Sequence, residues 1–92
     1  MNHRATPRFW ECYHRLPDET QRLADRCYEQ LQQNPRHPSL QLKRVGAFWS
    51  VRVGAHYRAL AVEEGEDFVW VWIGTHAEYD HLLRNRPSQP KS

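Results

Sequence analysis

The sequence predicts an α+β domain, with an N-terminal helical hairpin packed on a three- to four-stranded antiparallel sheet and a short C-terminal helix. Two observations carry this prediction. Apolar residues recur at helical spacing between residues 9 and 31. Between residues 48 and 76 they alternate with polar residues instead, and glycine-bearing turns interrupt the alternation twice.

The first helix is predicted to begin at Thr6-Pro7, because threonine is a preferred N-cap and proline a preferred first helical residue. Residues 1–5 before it are expected to form a loose leader. An apolar stripe that includes Phe9 and Tyr13 follows, and the helix is expected to end at Leu16-Pro17.

The second helix is predicted to begin in a capping box at residues 18–21 and to end at Asn34-Pro35. Because little more than a proline separates the two helices, they should form an antiparallel hairpin that covers the apolar face of the sheet. Cys12 and Cys27 lie on their apolar stripes and are interpreted as buried thiols rather than as a disulfide.

Three strands are predicted, at Phe48–Val53, Tyr57–Glu63 and Asp67–Ile73, and Gln41–Val45 is a candidate fourth strand. Ala77–Leu83 has helical propensity and should dock back on the domain. The alternation directs these side chains to the core: Val51, Val53, Tyr57, Ala59, Ala61, Val69, Val71 and Ile73. It directs these to the opposite face: Ser50, Arg52, Arg58, Leu60, Trp70 and Trp72.

The lengths of the turns predict the register of the sheet. The expected cross-strand pairs are Val53 with Tyr57, Arg52 with Arg58, Ala61 with Val69, Arg58 with Trp72, and Lys43 with Ser50. Like charges directly opposite each other are unfavourable, so an anion between Arg52 and Arg58 would account for the pair. The alternative is that both arginines are solvated, each lying along an aromatic ring.

The chain has 92 residues and a net charge of +2. We expect a single domain over residues 1–84 and a disordered tail at residues 85–92, which hold no apolar side chain. No acidic residue occurs between Glu29 and Glu63, so the basic residues of that window can present a basic surface to a polyanion.

The composition disfavours membrane proteins, secreted proteins and metalloproteins. No apolar run is long enough to span a membrane and no apolar signal segment opens the chain, so a cytoplasmic protein is expected. The histidines and cysteines lack metal-ligand spacing, so no metal and no cofactor are predicted.

An ordered set of segments resembles the RelE/ParE superfamily, the small toxins of bacterial type II toxin–antitoxin pairs. The segments are NPxHPSL at Asn34–Leu40, SVRVG at Ser50–Gly54, HYRAL at His56–Leu60 and WIGTHAEYDHLL at Trp72–Leu83. The resemblance covers nearly the whole chain, favours the YafQ/RelE-like branch, and implies a RelE-like, microbial RNase-like fold. It also implies a cognate antitoxin, usually a short acidic helical protein.

The resemblance further implies an endoribonuclease, an mRNA interferase that cleaves mRNA on the ribosome by metal-free acid–base attack of the 2′-OH. The catalytic candidates are Arg52 and Arg58 on the phosphate, His76 in proton transfer, and Tyr79. The RNA-binding candidates are Lys43 and Arg44, which would add charge, and Trp72, which would stack on a base.

Other interpretations stay open beside this one. A ParE-like member would bind DNA gyrase without catalysis, and a module of the same fold would bind RNA or protein without toxicity. His76 would then be a spacer after an N-cap at Thr75, and Tyr79 would be a core residue. Trp70 and Trp72 would form the floor of an antitoxin groove.

Overall fold

The computed structural model describes residues 2–84, so the predicted tail at residues 85–92 lies outside the described part. The strands are β1 Asn2–Ala5, β2 Lys43–Val45, β3 Phe48–Val53, β4 Tyr57–Glu64 and β5 Asp67–Thr75. The helices are α1 Pro7–His14, α2 Asp18–Gln33 and α3 His76–Arg84, with a 3₁₀ helix at Pro38–Leu40. The α+β prediction is confirmed, with five strands in place of three or four.

The strands lie side by side in the order β1-β5-β4-β3-β2. All neighbouring pairs are antiparallel except β1 and β5, which are parallel. No helix within residues 2–84 is long and apolar enough to cross a membrane.

The expectation of a loose leader is wrong, because Asn2–Ala5 forms β1 against Asp67–Trp70. Trp70 Nε1 donates to His3 Nδ1 at 3.2 Å, and the Arg4 guanidinium binds carboxylates next to the last hairpin. The Asn-His-Arg-Ala segment has low strand propensity, so its structure comes from these distant partners and not from local pattern.

The helix boundaries are partly as predicted. Thr6 Oγ1 accepts from the Phe9 N–H at 3.1 Å, which confirms the first cap. The capping box at residues 18–21 is wrong, since Pro17 occupies the N-cap position and no side chain caps α2. Asn34 follows the last residue of α2 as predicted.

The first part of the register is confirmed. Lys43 pairs with Ser50, Arg52 with Arg58, and Val53 with Tyr57. The pairs predicted for the last hairpin are wrong: Ala61 lies opposite Trp70 rather than Val69, and Arg58 opposite Gly74 rather than Trp72.

Two local features cause this shift. The hairpin closes with a two-residue turn, in which Gly65 has a φ of +61°, and Glu64 pairs with Asp67. A bulge then leaves Val71 without an opposing residue, because Leu60 pairs with Trp72 and Ala61 with Trp70.

The bulge changes which side chains of β5 are in the main core. Trp70 was expected on the opposite face but packs in the main core beneath α1 and α2. Val71 was expected in that core but packs against the smaller cluster, and Val69 pairs with Val62. The main core contains Leu31, Leu40, Val51, Val53, Ala59, Ala61, Phe68, Trp70 and Ile73. The smaller cluster, under α3, contains Leu60, Trp72 and Tyr79.

The bond between Trp70 and His3 predicts a pH-dependent stability. Because His3 Nδ1 accepts a hydrogen, the ring must be unprotonated there, and burial lowers the pKa of His3 below its ordinary 6.5. The folded chain therefore binds fewer protons at this ring than the unfolded chain does. We expect the free energy of unfolding to fall as the pH drops through 6.5 toward the lowered value.

Chemical denaturation at pH 7.5 and pH 5.5 would measure this effect. His3→Gln is the matched variant, because its amide oxygen can still accept from Trp70 but does not titrate. The other histidines are common to both proteins, so the difference between the two pH dependences isolates His3. Equal pH dependences in the two proteins would contradict the prediction.

Candidate functional site

The candidate site lies on the face of the sheet opposite α1 and α2. Arg52 stands between Val51 and Val53, whose side chains are in the main core, so alternation places Arg52 on the other face. Arg58 lies directly opposite it on β4. β5 runs into α3 without a loop, and the first turn of α3 supplies His76 and Tyr79.

The Arg58 guanidinium is buried in this face, with only 3% of the residue exposed. Its Nε donates to Ser50 Oγ at 2.8 Å, and one terminal nitrogen donates to the Gln41 carbonyl at 3.2 Å. Burial, and also the positive charge of Arg52, lower the pKa of Arg58. An arginine nevertheless stays protonated, so a fixed positive charge lies inside the domain.

The acceptor at Gln41 depends on an unusual backbone conformation. Gln41 ends the 3₁₀ helix with a φ of +45°, in the left-handed region that non-glycine residues rarely adopt. The strain of such a residue costs about 1–3 kcal/mol and persists only where its surroundings hold it. The hydrogen bond from Arg58, and the full burial of the preceding Leu40, supply that support.

Tyr79 lies between the buried guanidinium and the rim of the site. The Arg58 guanidinium carbon is 5.2 Å from the centre of its ring, a cation–π distance. The His76 ring meets it edge-on, with 5.7 Å between centroids. Tyr79 is only 4% exposed and belongs to the smaller cluster, which agrees with its interpretation as a core residue.

His76 stays accessible at the start of α3, with 53% of its side chain exposed. The residues around it form a reciprocal cap: Thr75 N–H donates to Glu78 Oε1 at 2.9 Å, and Glu78 N–H donates to Thr75 Oγ1 at 3.1 Å. The cap that the alternative interpretation of His76 assumed is therefore present, but it does not bury the imidazole.

Sequence reasoning missed Asp80 as a neighbour of this imidazole. Its Oδ2 is 3.3 Å from His76 Nδ1, across one turn of α3. The i to i+4 spacing of a histidine and an aspartate on a helix was the signal that could have found it. The pairing leaves Nε2 of the ring pointing away from Asp80.

Arg52 and Lys43 supply the more accessible charges. Arg52 Nε donates to the Gly54 carbonyl at 2.8 Å, and within residues 2–84 no acceptor contacts its two terminal nitrogens. Arg52 also lines an open cleft, but the other walls of that cleft come mainly from α2, so the cleft lies toward the helices and is not part of the candidate face. Lys43 is exposed on β2, opposite Ser50.

The sequence analysis expected Arg44 and Trp72 to bind RNA at this site, but neither side chain is available there. The Arg44 guanidinium lies 5.3 Å over the Trp49 ring and 3.4 Å from Glu63, on the face that carries the main core. Trp72 is only 9% exposed, so its ring cannot receive a base. Its ring lies on Gly74, where an added Cβ would be 2.5 Å from a ring carbon.

The sequence profile of the ParE-like toxin domain matches residues 18–81, about two thirds of the chain. This chain belongs to the ParE-like toxin domain family. The match spans α2, the four antiparallel strands and most of α3, and so includes every site candidate named above. A comparison with curated proteins gave no significant match.

Solved structures show that the domain has the RelE/ParE toxin fold. The RelB–RelE antitoxin–toxin complex from Methanococcus jannaschii has a chain that matches with a TM-score of 0.67 and 16% identity, over 85% of this chain and 96% of that one. The YoeB/ParE toxin from Agrobacterium tumefaciens matches with a TM-score of 0.63 and 15% identity, over 83% of this chain and 99% of that one. YafQ from E. coli matches with a TM-score of 0.62 and 11% identity, over 85% of this chain and 96% of that one.

The buried guanidinium predicts a cost for removing its hydroxyl partner. Ser50→Ala leaves Arg58 Nε without an acceptor inside the domain, which should lower the free energy of unfolding by about 1–3 kcal/mol. Urea denaturation would measure it. Ser39→Ala removes a hydroxyl whose bonds to Gln30 and His37 are exposed, and should cost under about 1 kcal/mol. Equal losses in both variants would contradict the prediction.

Proposed function

We propose that this ParE-like toxin domain is an endoribonuclease that cleaves mRNA on the ribosome by metal-free acid–base chemistry. One observation carries the proposal: the buried Arg58 guanidinium and the accessible His76 imidazole contact the same Tyr79 ring. A histidine and a fixed positive charge thus lie on either side of one aromatic ring, on a face that the helical hairpin leaves open.

The chemistry needs three functions. A base removes the proton from the ribose 2′-OH, and the oxygen attacks the adjacent phosphorus. The bond from phosphorus to the 5′ oxygen breaks, and a proton is delivered to that oxygen. The products are a 2′,3′-cyclic phosphate and a 5′-hydroxyl. Positive groups stabilise the charge that grows on the phosphate oxygens.

His76 is the residue proposed for proton transfer. An imidazole changes charge near neutral pH and can both accept and donate a proton. Asp80 would hold the proton on Nδ1, which leaves Nε2 as the nitrogen that faces the ribose. Asp80 is in this scheme a positioning residue, and Tyr79 positions both His76 and Arg58.

The cations divide into two roles. Arg52 is proposed to bind the phosphate directly, since its terminal nitrogens are uncommitted within the described residues, and Lys43 would contact the RNA backbone. Arg58 is too buried for a forked contact in this conformation. Its positive charge would instead stabilise the charge developing on the phosphate without a direct contact.

A cognate antitoxin is part of the proposal. The solved relatives from Methanococcus jannaschii and from E. coli are named as RelB–RelE complexes, in which an antitoxin accompanies the toxin. By the resemblance, the partner of this chain would be a short acidic helical protein. An acidic partner would also complement the basic residues between positions 29 and 63.

A specific observation favours a second candidate, a ParE-type toxin that binds gyrase without catalysis. The Arg58 guanidinium already donates to Ser50 and to Gln41, so it has a structural role without RNA. The matching profile is also that of the ParE-like domain. Inducing the chain in bacteria separates the candidates, since one gives codon-phased mRNA cuts and the other a DNA-damage response.

The proton-transfer role predicts the behaviour of His76→Ala. We expect mRNA cleavage in a cell-free translation reaction to fall by about 100-fold or more, because general acid–base catalysis contributes about that much. The matched control is His14→Ala, which removes an exposed histidine from α1. Mapping fragment ends by primer extension gives the rate. Full cleavage by folded His76→Ala would remove the acid–base assignment.

The phosphate-binding role predicts a charge effect. The double variant Lys43→Ala with Arg52→Ala should weaken RNA binding and reduce the slope of log K against log salt by about 0.7 for each lost phosphate contact. Filter binding of a single-stranded RNA at several salt concentrations measures the slope. Arg8→Ala with Arg22→Ala removes the same charge from the exposed surface of the helical hairpin. An equal change in both double variants would contradict a site on this face.

A further inference from the structure

A cavity lies on the helical side of the sheet, away from the candidate site, between β1, α1 and α2. It encloses about 220 Å³. Its walls are mainly the rings of Phe9, Trp10, Tyr13, Tyr28 and Trp70, and the carboxylate of Asp25 stands among them. It shares no lining residue with the candidate site at Arg58 and His76, so an inference from it is independent of the proposed function.

The rim of this cavity exposes aromatic surface. Trp10 is 45% exposed and Tyr28 is 41% exposed, and they are two of the three exposed large hydrophobic residues within residues 2–84. The rings are ordered against one another: Trp10 meets both Phe9 and Tyr13 edge-on at 5.3 Å. Exposed aromatic rings on two different elements, converging on one cavity, are typical of an interaction site.

The charges around the cavity favour a cation. Asp25 Oδ1 accepts from the Tyr13 hydroxyl at 2.8 Å, which fixes the carboxylate beside the rings. Arg4 also lines the cavity, but its guanidinium is 2.6 Å from Glu64 and 3.2 Å from Asp67, so this group as a whole carries negative charge.

His3 adds no positive charge near neutral pH. Its Nδ1 accepts from Trp70, and burial lowers its pKa. Among the described residues that line the cavity, aromatic faces and a carboxylate are thus present without an uncompensated cation, and such surroundings attract guanidinium and ammonium groups.

We propose that this cavity binds the guanidinium or ammonium group of a basic side chain on a protein partner. Its volume lies below the roughly 300–1,000 Å³ of small-molecule pockets and suits one long side chain. The stem of that side chain would lie along the rings while its charged end meets Asp25. The exposed edges of Trp10 and Tyr28 would then contact the surface around the anchored residue.

The experiment uses the full chain and a capped pentapeptide that has one central arginine between glycines. Titration is followed by the NMR signals of the tryptophan indole N–H groups. We expect saturable shifts of the Trp10 signal. The same peptide with citrulline, which keeps the shape but lacks the charge, should bind about fivefold more weakly or worse, as the loss of a cation–π contact implies.

Variants of the protein test the residues. Asp25→Asn keeps the shape of the side chain and should weaken binding of the arginine peptide by about fivefold, with little effect on binding of the citrulline peptide. Trp10→Leu should weaken binding of the arginine peptide by a comparable factor. Glu29→Gln is the matched control, because it removes a carboxylate of α2 that does not line the cavity, and should leave binding unchanged.

Two results would overturn the inference. Equal binding of the arginine and citrulline peptides would show that the cavity does not select charge. Tighter binding of free butylguanidinium than of the arginine peptide would assign the cavity to a small free cation rather than to a partner's side chain. Circular dichroism of each variant confirms that the helices are intact before titration.

Discussion

The buried positive charge of Arg58 is the constraint on which the open face of this domain depends. A guanidinium at this depth needs hydrogen-bond acceptors and surroundings that offset its charge, and the fold supplies them mainly from neutral groups, with the Asp80 carboxylate adding a favourable charge. Ser50 comes from the neighbouring strand, the Gln41 carbonyl from a strained turn, and the Tyr79 ring from α3. Three separate segments are thereby fixed to one side chain, and the position of His76 at the start of α3 follows from that anchorage.

The bulge at Val71 gives the two faces of the sheet their different characters. Without it, strict alternation would place Trp70 and Trp72 on the same face. With it, Trp70 enters the main core, while Trp72 stays on the other face and closes the smaller cluster beneath α3. The smaller cluster supports Tyr79, so a single extra residue in β5 contributes to the geometry of a site several residues away.

Much of the antiparallel sheet could be predicted because alternation and turn length act locally. Lys43 with Ser50 and Arg52 with Arg58 follow from hairpins whose loops the sequence marks with glycine. The sequence could not predict β1, whose partner is distant and whose residues have low strand propensity, or the bulge, which no local residue type signals. For the candidate site, the alternation of apolar and polar residues predicted that Arg52 and Arg58 share the face opposite the main core. The burial of Trp72 and Arg58 depends on how α3 and the Gln41 turn pack over them.

The parallel pairing of β1 with β5 has a consequence for how the domain reaches its final state. Residues 2–5 leave the ribosome before the rest of the domain, but the strand that receives them begins only at Asp67, near the far end of the domain. Until both ends meet, the backbone of β5 presents an unpaired edge, which another extended segment can join. Closing so large a loop is entropically unfavourable and slows folding relative to the local hairpins. The nascent chain therefore completes its sheet after synthesis of nearly the whole domain, and the cavity bounded by β1 comes into being only at that last step.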